Sequence, residues 1–136
     1  MRALVLDSEA ISGLARERGD GALHAFLTAA VATMSPVRVP AAVLAEQYRG
    51  GGYDQTVDAL LSRHRGALKV VDTDRDLARA VGNLLARHGR GTQDHVDATV
   101  VAAAIRLGGG VILTSDPVDI AALADGIPGI VVEPLR

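Results

Sequence analysis

The sequence predicts a single α/β domain spanning residues 1–136, with a central parallel sheet of about five strands covered by helices on both faces. Short apolar runs alternate with helical segments along the chain, and this alternation is typical of a parallel sheet. The strand candidates are apolar at consecutive positions, as in strands that are buried on both faces. No internal repeat or linker divides the 136 residues, a length that suits one domain with its own core.

The first predicted strand is Ala3 to Leu6, which ends at Asp7 and is followed by the short helix 9–16. Asp20-Gly21 opens a second helix, and His24 is predicted to lie off its apolar face. That face is predicted to consist of Leu23, Phe26, Leu27, Ala30 and Val31.

The rest of the chain continues the same alternation. Pro40 suits the beginning of a helix, because its missing N–H has no partner there. Asp72-Thr73-Asp74 suits a helix cap, and His88-Gly89 suits a helix end. In order, the remaining predicted elements are strand 37–39, helix 41–48, helix 54–63, strand 68–71, helix 75–89, helix 94–107, strand 111–114, helix 117–123 and strand 130–132.

Composition excludes several classes of function. Lys and Arg number 14 against 16 acidic residues, so no overall basic field indicates nucleic acid, although a local basic rim is compatible with it. The absence of Cys excludes disulfides, zinc–thiolate sites and a thiol nucleophile. The N-terminal apolar run is too short for a signal peptide, and the longest apolar run, 98–105, is too short to span a membrane. We therefore expect a cytoplasmic protein with no membrane segment.

Four acidic residues occupy positions from which they can converge. Asp7 follows the first strand and Asp116 follows the fourth, and sites in open α/β sheets form at the carboxyl ends of strands. Asp97 lies at the start of the helix that leads into the fourth strand, and Glu46 lies on the helix after the second. Each also has an ordinary structural role open to it: Asp7 as an N-cap and Glu46 as a solvated helix-edge residue.

Convergence of these acids would favour a metal site. Two carboxylates about 4 Å apart repel by about 4 kcal/mol at an effective dielectric of 20, so either protons or a cation must neutralise the group. Oxygen ligands without His or Cys favour Mg²⁺ or Mn²⁺. A metal-bound water is a nucleophile for in-line attack on phosphate. The acids therefore predict a phosphodiester-cleaving site.

Four segments resemble the PIN-domain family, in particular the VapC-type toxins of bacterial toxin–antitoxin pairs. They are 4-LVLDSEAIS-12, 39-VPAAVLAEQYRG-50, the Asp-Ala start of 97-DATVVAAAIRLGGGVILTSD-116 and its Thr-Ser-Asp end. The resemblance implies catalytic, metal-binding acids at Asp7, Glu46, Asp97 and Asp116. It further implies an Mg²⁺- or Mn²⁺-dependent endoribonuclease, usually homodimeric, that a cognate antitoxin inhibits by covering the acidic groove.

Several assignments within this resemblance stay open. Asp94 lies one helical turn before Asp97 and is either the ligand in its place or the helix N-cap, and Asp119 matches a position where relatives carry a further metal-binding acid. Thr114 and Ser115 are candidate hydrogen-bond donors to the acids. Ser115 stands where the family often has Arg, so RNA would depend on other cations. The candidates for that role are Arg16, Arg18 and Arg49.

Two other enzyme classes fit the acids less well. A response-regulator receiver, with Asp72 as phosphoacceptor, would need paired acids after the first strand and a Lys after the last, where this chain has Glu133-Pro134. A haloacid-dehalogenase-type phosphatase would need Asp-x-Asp, which Glu9 breaks. The alternative that stays open is a non-catalytic PIN-like module that binds RNA or protein; it would be indicated by a missing acid.

Overall fold

The computed structural model describes residues 2–16 and 21–135. Its strands form one sheet in the order β3-β2-β1-β4-β5, and every neighbouring pair is parallel. The five strands are β1 (Ala3–Leu6), β2 (Val37–Pro40), β3 (Leu68–Val71), β4 (Gly110–Thr114) and β5 (Ile130–Pro134). The predicted α/β fold with a parallel sheet of about five strands is confirmed.

Helices fill the connections between the strands. They are α1 (Ser8–Arg16), α2 (Ala22–Ala32), α3 (Ala41–Gln47), α4 (Gly52–Arg63), α5 (Arg75–Arg87), α6 (His95–Arg106) and α7 (Pro117–Leu123). A short 3₁₀ turn, Thr92–Asp94, precedes α6 and was not predicted. Helix α4 begins at Gly52 rather than at Asp54, whose carboxylate instead accepts hydrogen bonds from the backbone N–H groups of Arg49 and Gly50 at 2.9 and 3.0 Å.

The centre of the sheet is buried on both faces. All four residues of β1 are buried, although successive side chains of a strand point to opposite faces, so helices must cover both sides. Helix α6 packs against β1, β2 and β4 and has seven buried residues. The edge strands β3 and β5 are more exposed. The core is therefore aliphatic and is centred on β1, as the Ala, Val and Leu content indicates.

Strand β1 pairs directly with β4, from Ala3 opposite Gly110 to Leu6 opposite Leu113. Beyond the last pair, the backbone N–H of Asp7 still donates to the carbonyl of Leu113 at 3.2 Å. The chain moves to one side of β1 for β2 and β3, and to the other side for β4 and β5. The strand order therefore reverses between β1 and β4, which is where open α/β sheets form crevices at their carboxyl ends.

The prediction for α2 was wrong in its details. His24 was placed off the apolar face but is buried, at 9% exposure, together with Leu27 and Ala30. Phe26 and Val31 were placed on the buried face but are 40% and 46% exposed. The helix is apolar around most of its circumference, so spacing alone does not select the face that packs. The predicted opening residue Asp20 lies outside the described residues.

Glycines 108–110 connect α6 to β4 in a tight turn. Gly108 and Gly109 have φ values of +83° and +110°, and the N–H of Gly109 donates to the carbonyl of Ala104, which closes the end of α6. A Cβ on Gly109 would lie 2.7 Å from the carbonyl oxygen of Gly129. Only glycine fits this turn, and the turn fixes where β4 begins.

We expect Gly109→Ala to lower the free energy of unfolding by about 1–3 kcal/mol, because it combines an unfavourable φ with a clash against backbone. Gly82→Ala is the matched control: Gly82 is exposed within α5, and a Cβ there would meet nothing within 4 Å. It should raise the free energy of unfolding by roughly 0.5–1 kcal/mol. Urea titration of both variants measures the two effects, and equal effects would contradict the role of the turn.

Candidate metal centre

Three carboxylates gather at the carboxyl end of β4. Within residues 2–16 and 21–135, Asp97, Asp116 and Asp119 form a group in which one oxygen of each lies within 4.8 Å of the others. Asp116 directly precedes α7, Asp119 is in the first turn of α7, and Asp97 is in the first turn of α6. Helices α6 and α7 pack against each other. Their N-terminal turns therefore bring together residues that are distant in sequence.

Asp7 lies beside this group and is held by two backbone groups. Its Oδ1 accepts from the N–H of Ala10 at 2.9 Å, which caps α1, and its Oδ2 accepts from the N–H of Ser115 at 3.1 Å. It is only 6% exposed. The bond to Ser115 crosses from β1 to the end of β4. Asp7 is thus an N-cap, as one sequence interpretation held, and its other carboxylate oxygen faces the segment that carries Asp116.

The segment 114–116 contacts the acids mainly through its backbone. Thr114 is fully buried, and its hydroxyl accepts from the backbone N–H of Asp116 at 2.9 Å. The Ser115 group that donates to Asp7 is the backbone N–H. Side-chain donation from these two residues to the acids was the sequence expectation, whereas the described hydrogen bonds use backbone N–H groups. Residue 115 can therefore vary in side chain without loss of this bond.

The gathered charges disturb the ionisation of the acids. The pKa of Asp97 is raised to about 6, first by burial and then by the negative charges of Asp116, Asp119, Asp7 and Asp94, in that order. The pKa of Asp116 is also raised, first by desolvation and then by Asp119. Burial and the neighbouring negative charges both disfavour the ionised form of Asp97, so part of the shift in its pKa reflects repulsion among the acids. A cation placed among these oxygens would relieve it.

The donor set fits a hard divalent cation. All three groups offer carboxylate oxygens, and neither Cys nor His contributes to the group. Ligand oxygens around an octahedral Mg²⁺ at 2.0–2.1 Å lie roughly 3–4 Å apart. Oxygens within 4.8 Å of one another need only small side-chain rotations to reach that spacing. Exposed Asp116 has the freedom to make them.

Glu46 lies apart from the three clustered acids. It is exposed on α3, and its charge is not among those that raise the pKa of Asp97. Its neighbour Gln47 is buried and donates from Nε2 to the Ser8 hydroxyl at 2.6 Å, while the Tyr53 hydroxyl donates to Gln47 Oε1 at 2.6 Å. Helix α3 is therefore fastened next to Asp7 through Ser8, although the Glu46 side chain points to solvent.

Arg90 is the cation that the sequence analysis missed. Its Nη1 lies 3.4 Å from Asp119 Oδ1 and 3.6 Å from Asp94 Oδ2. Asp94 occupies the N-cap position of α6 but makes no capping hydrogen bond with its side chain. The Arg90–Asp94 spacing of four residues was a visible signal of an ion pair. Asp119, 29 residues away, could not be recognised as the second partner from spacing.

The cations that the sequence analysis nominated lie in other contacts. The Arg16 guanidinium lies 5.4 Å from the centre of the Tyr53 ring. The Arg49 guanidinium donates to the carbonyls of Ala45 and Tyr48 at the C-terminal end of α3. Arg18 lies outside the described residues. In the part of the chain that the structure describes, the Arg that contacts an acid of the cluster is Arg90.

Solved structures with a similar fold include two DNA-bound VapBC proteins and VapBC-5. VapBC2 from Rickettsia felis, bound to a DNA fragment from its promoter, matches with a TM-score of 0.68 and 16% identity over 98% of this chain and 99% of that chain. DNA-bound VapBC from Salmonella typhimurium matches with a TM-score of 0.63 and 20% identity, over 98% of each chain. VapBC-5 from Mycobacterium tuberculosis matches with a TM-score of 0.54 and 20% identity, over 99% of this chain and 100% of that chain.

Sequence comparisons give a family but no curated relative. A search of curated proteins finds no significant match. Separately, no helix among the described residues is long and apolar enough to cross a membrane. A family model for the PIN domain matches residues 4–125, a range that contains Asp7, Glu46 and the three clustered acids. The chain belongs to the PIN domain family.

Proposed function

We propose that this protein is an Mg²⁺- or Mn²⁺-dependent endoribonuclease that acts as the toxin of a VapBC-like toxin–antitoxin pair. The observation that carries the proposal is the convergence of Asp97, Asp116 and Asp119 at the carboxyl end of β4, with Asp7 alongside. Isolated caps and surface acids have no reason to meet at one crevice. Their mutual repulsion supports a divalent cation as the group that they evolved to hold.

The proposed role of each acid depends on its position in the site. Asp97, Asp116 and Asp119 would hold the ion, which would supply positive charge beside the phosphate and make water more acidic. Asp7, whose carboxylate is fixed by the N–H groups of Ala10 and Ser115, would orient a water molecule beside this group. Exposed Glu46 lies on the helix that is fastened next to Asp7, and we assign it a supporting role outside the group of three.

The similar structures support the proposal of a protein partner. The Rickettsia felis and Salmonella typhimurium proteins are VapBC bound to DNA, and VapBC-5 belongs to a family of toxin–antitoxin systems. We propose a cognate antitoxin and a homodimeric toxin in the cytoplasm. Exposed apolar side chains on and just after α2 (Phe26, Val31 and Met34) offer surface for a protein partner.

The first prediction concerns metal and stability. Mg²⁺ or Mn²⁺ at 100 times the dissociation constant should stabilise the fold by about 2.7 kcal/mol, which corresponds to a rise in Tm of roughly 5–15 °C. Asp97→Asn should raise the Tm of the metal-free protein by a few degrees, about 2–5 °C, because it removes a carboxylate from the repelling group, and should abolish the metal-induced rise. Differential scanning fluorimetry measures both effects.

Asp125→Asn is the matched control for this experiment, because Asp125 is exposed beyond the end of α7 and belongs to no acidic group. It should retain the wild-type response to metal. A wild-type Tm that neither ion changes would contradict the metal site.

The second prediction concerns pH. Because the folded-state pKa of Asp97 is raised to about 6, protonation competes with metal below that pH, and the metal affinity should fall about tenfold per pH unit there. In the metal-free protein the contribution of Asp97 to stability should decrease as pH rises from about 4 to 6 and stay constant above 6, because the unfolded carboxyl ionises first. Calorimetric Mn²⁺ titrations at pH 5, 6 and 7.5 test the first statement; an affinity unchanged between pH 5 and 6 would contradict it.

The third prediction concerns catalysis. Asp116→Asn should lower metal-dependent cleavage of RNA by at least about 10²-fold, because it removes a ligand without disturbing a cap or the core. Asp7→Asn is a less clean test, since Asp7 also caps α1 and its loss of charge weakens two backbone hydrogen bonds. Gel analysis of a labelled RNA, with Asp125→Asn as the control, measures the effect.

Glu46→Gln separates the exposed acid from the cluster. We expect it to reduce cleavage while leaving the metal-induced rise in Tm near the wild-type value, because Glu46 lies outside the group of three. A wild-type protein that binds metal and RNA but cleaves no RNA would instead favour the non-catalytic binding module.

A further inference from the structure

Arg90 is held at a fixed point beside the acidic group. Helix α5 ends in a motif in which Gly89 adopts a φ of +61° and its N–H donates to the carbonyl of Ala86 at 3.2 Å. The N–H of Arg90 then donates to the carbonyl of Leu85 at 2.9 Å. These two bonds terminate the helix and fix the backbone of residue 90. The Arg90 side chain therefore begins from an ordered position, not from a loose loop.

The contacts of the Arg90 guanidinium are long and one-sided. Both described ion pairs use Nη1, at 3.4 Å to Asp119 and 3.6 Å to Asp94. Charge-assisted hydrogen bonds between Arg and carboxylate are normally about 2.7–2.9 Å. Arg106 and Asp74 reach that distance elsewhere in this chain, at 2.8 Å. Arg90 is thus poorly satisfied by its two acids compared with a structural ion pair in the same molecule.

The rest of the guanidinium remains available. Among the described residues, the hydrogen bond and the two ion pairs of Arg90 are all described through Nη1, and the side chain is 25% exposed. The guanidinium fork presents its donors in a geometry that matches two oxygens of one phosphate. It does so next to Asp119, an acid of the group that is proposed to hold the metal. A phosphate bound to that metal would lie within reach of the unused donors.

We propose that Arg90 is a substrate-binding residue that contacts the RNA phosphate group next to the metal, an inference that rests on the proposed function. A cation bound by Asp119 competes with Arg90 for the same carboxylate and repels the guanidinium. Arg90 then turns from Asp119 to the non-bridging oxygens of the incoming phosphate. Asp94 remains as its second partner, at a spacing of four residues, and keeps the guanidinium at the edge of the site.

The competing explanation is that Arg90 only holds the acids in place, and metal affinity separates the two roles. Removal of a positive charge from beside carboxylates increases their attraction for a cation, so Arg90→Gln should bind Mn²⁺ at least as tightly as the wild type. If Arg90 only positions Asp119 and Asp94, the same substitution loosens both acids and weakens Mn²⁺ binding. RNA binding and metal binding are therefore to be measured on the same variants.

The experiment uses the full chain with Ca²⁺ in place of Mg²⁺ and a fluorescein-labelled RNA, which is checked on gels to be intact. Fluorescence anisotropy should show that Arg90→Gln weakens RNA binding roughly 10- to 100-fold, the effect of losing one charged hydrogen-bonded pair. The slope of log Kd against the logarithm of the salt concentration should be smaller by about one unit in this variant. Arg87→Gln is the control, because Arg87 is exposed in the last turn of α5. Its RNA affinity should stay within about twofold of the wild-type value.

The outcomes are distinct. RNA binding of Arg90→Gln equal to that of the wild type would overturn the inference alone, and so would a parallel loss of Mn²⁺ and RNA binding. A wild-type protein that binds Mn²⁺ but no RNA would overturn the proposed function together with the inference. If Arg90→Gln does not fold, Arg90→Lys is the variant to measure, because it keeps the positive charge but loses the forked guanidinium. Its RNA binding should weaken roughly three- to tenfold. Unchanged RNA binding would overturn the inference.

Discussion

The parallel pairing of β1 with β4 is the constraint on which the site depends. It places the end of β1 beside the end of β4, so that Asp7 and the segment 114–116 meet although they are more than a hundred residues apart. Local electrostatics oppose this arrangement, since carboxylates about 4 Å apart repel by several kcal/mol. The burial of apolar side chains on both strands supplies the opposing free energy. The acidic site therefore lowers the stability of the fold, and a bound cation would offset that loss.

The acids differ in how firmly they are held, and this difference bears on the proposed catalysis. Asp7 is buried and accepts two backbone hydrogen bonds, so its carboxylate cannot rotate without uncapping α1. Asp116 is exposed and its side chain caps nothing. A site that combines one fixed carboxylate with adjustable ones can orient a water and still adapt to a metal that demands regular geometry. The core thus provides rigidity on one side of the site only.

The sequence predicted the elements that place the site but not all of its contacts. Apolar runs located β1 and β4, and the acids that follow them were recognisable because carboxylates at strand ends are costly to place. The face of α2 was mispredicted because an almost wholly apolar helix has no preferred side in its sequence. Glu46 was expected beside a buried face and proved exposed, since α3 is short and only Val43, Leu44 and Gln47 are buried. Arg90 was missed because its partner Asp119 becomes a neighbour only after α5, α6 and α7 have assembled.

The charge distribution implies an order of binding. The chain has a formal net charge of −2, and burial together with the repulsion of the surrounding acids raises the pKa of Asp97 to about 6. On the proposed function, RNA phosphates that approach the metal-free group would meet repulsion from these carboxylates, which Arg90, itself engaged with two of the neighbouring acids, would offset only in part. A divalent ion would reverse the local field and compete with Arg90 for Asp119. The metal would therefore bind before the RNA, because the ion would create the positive surface that the composition of the protein lacks.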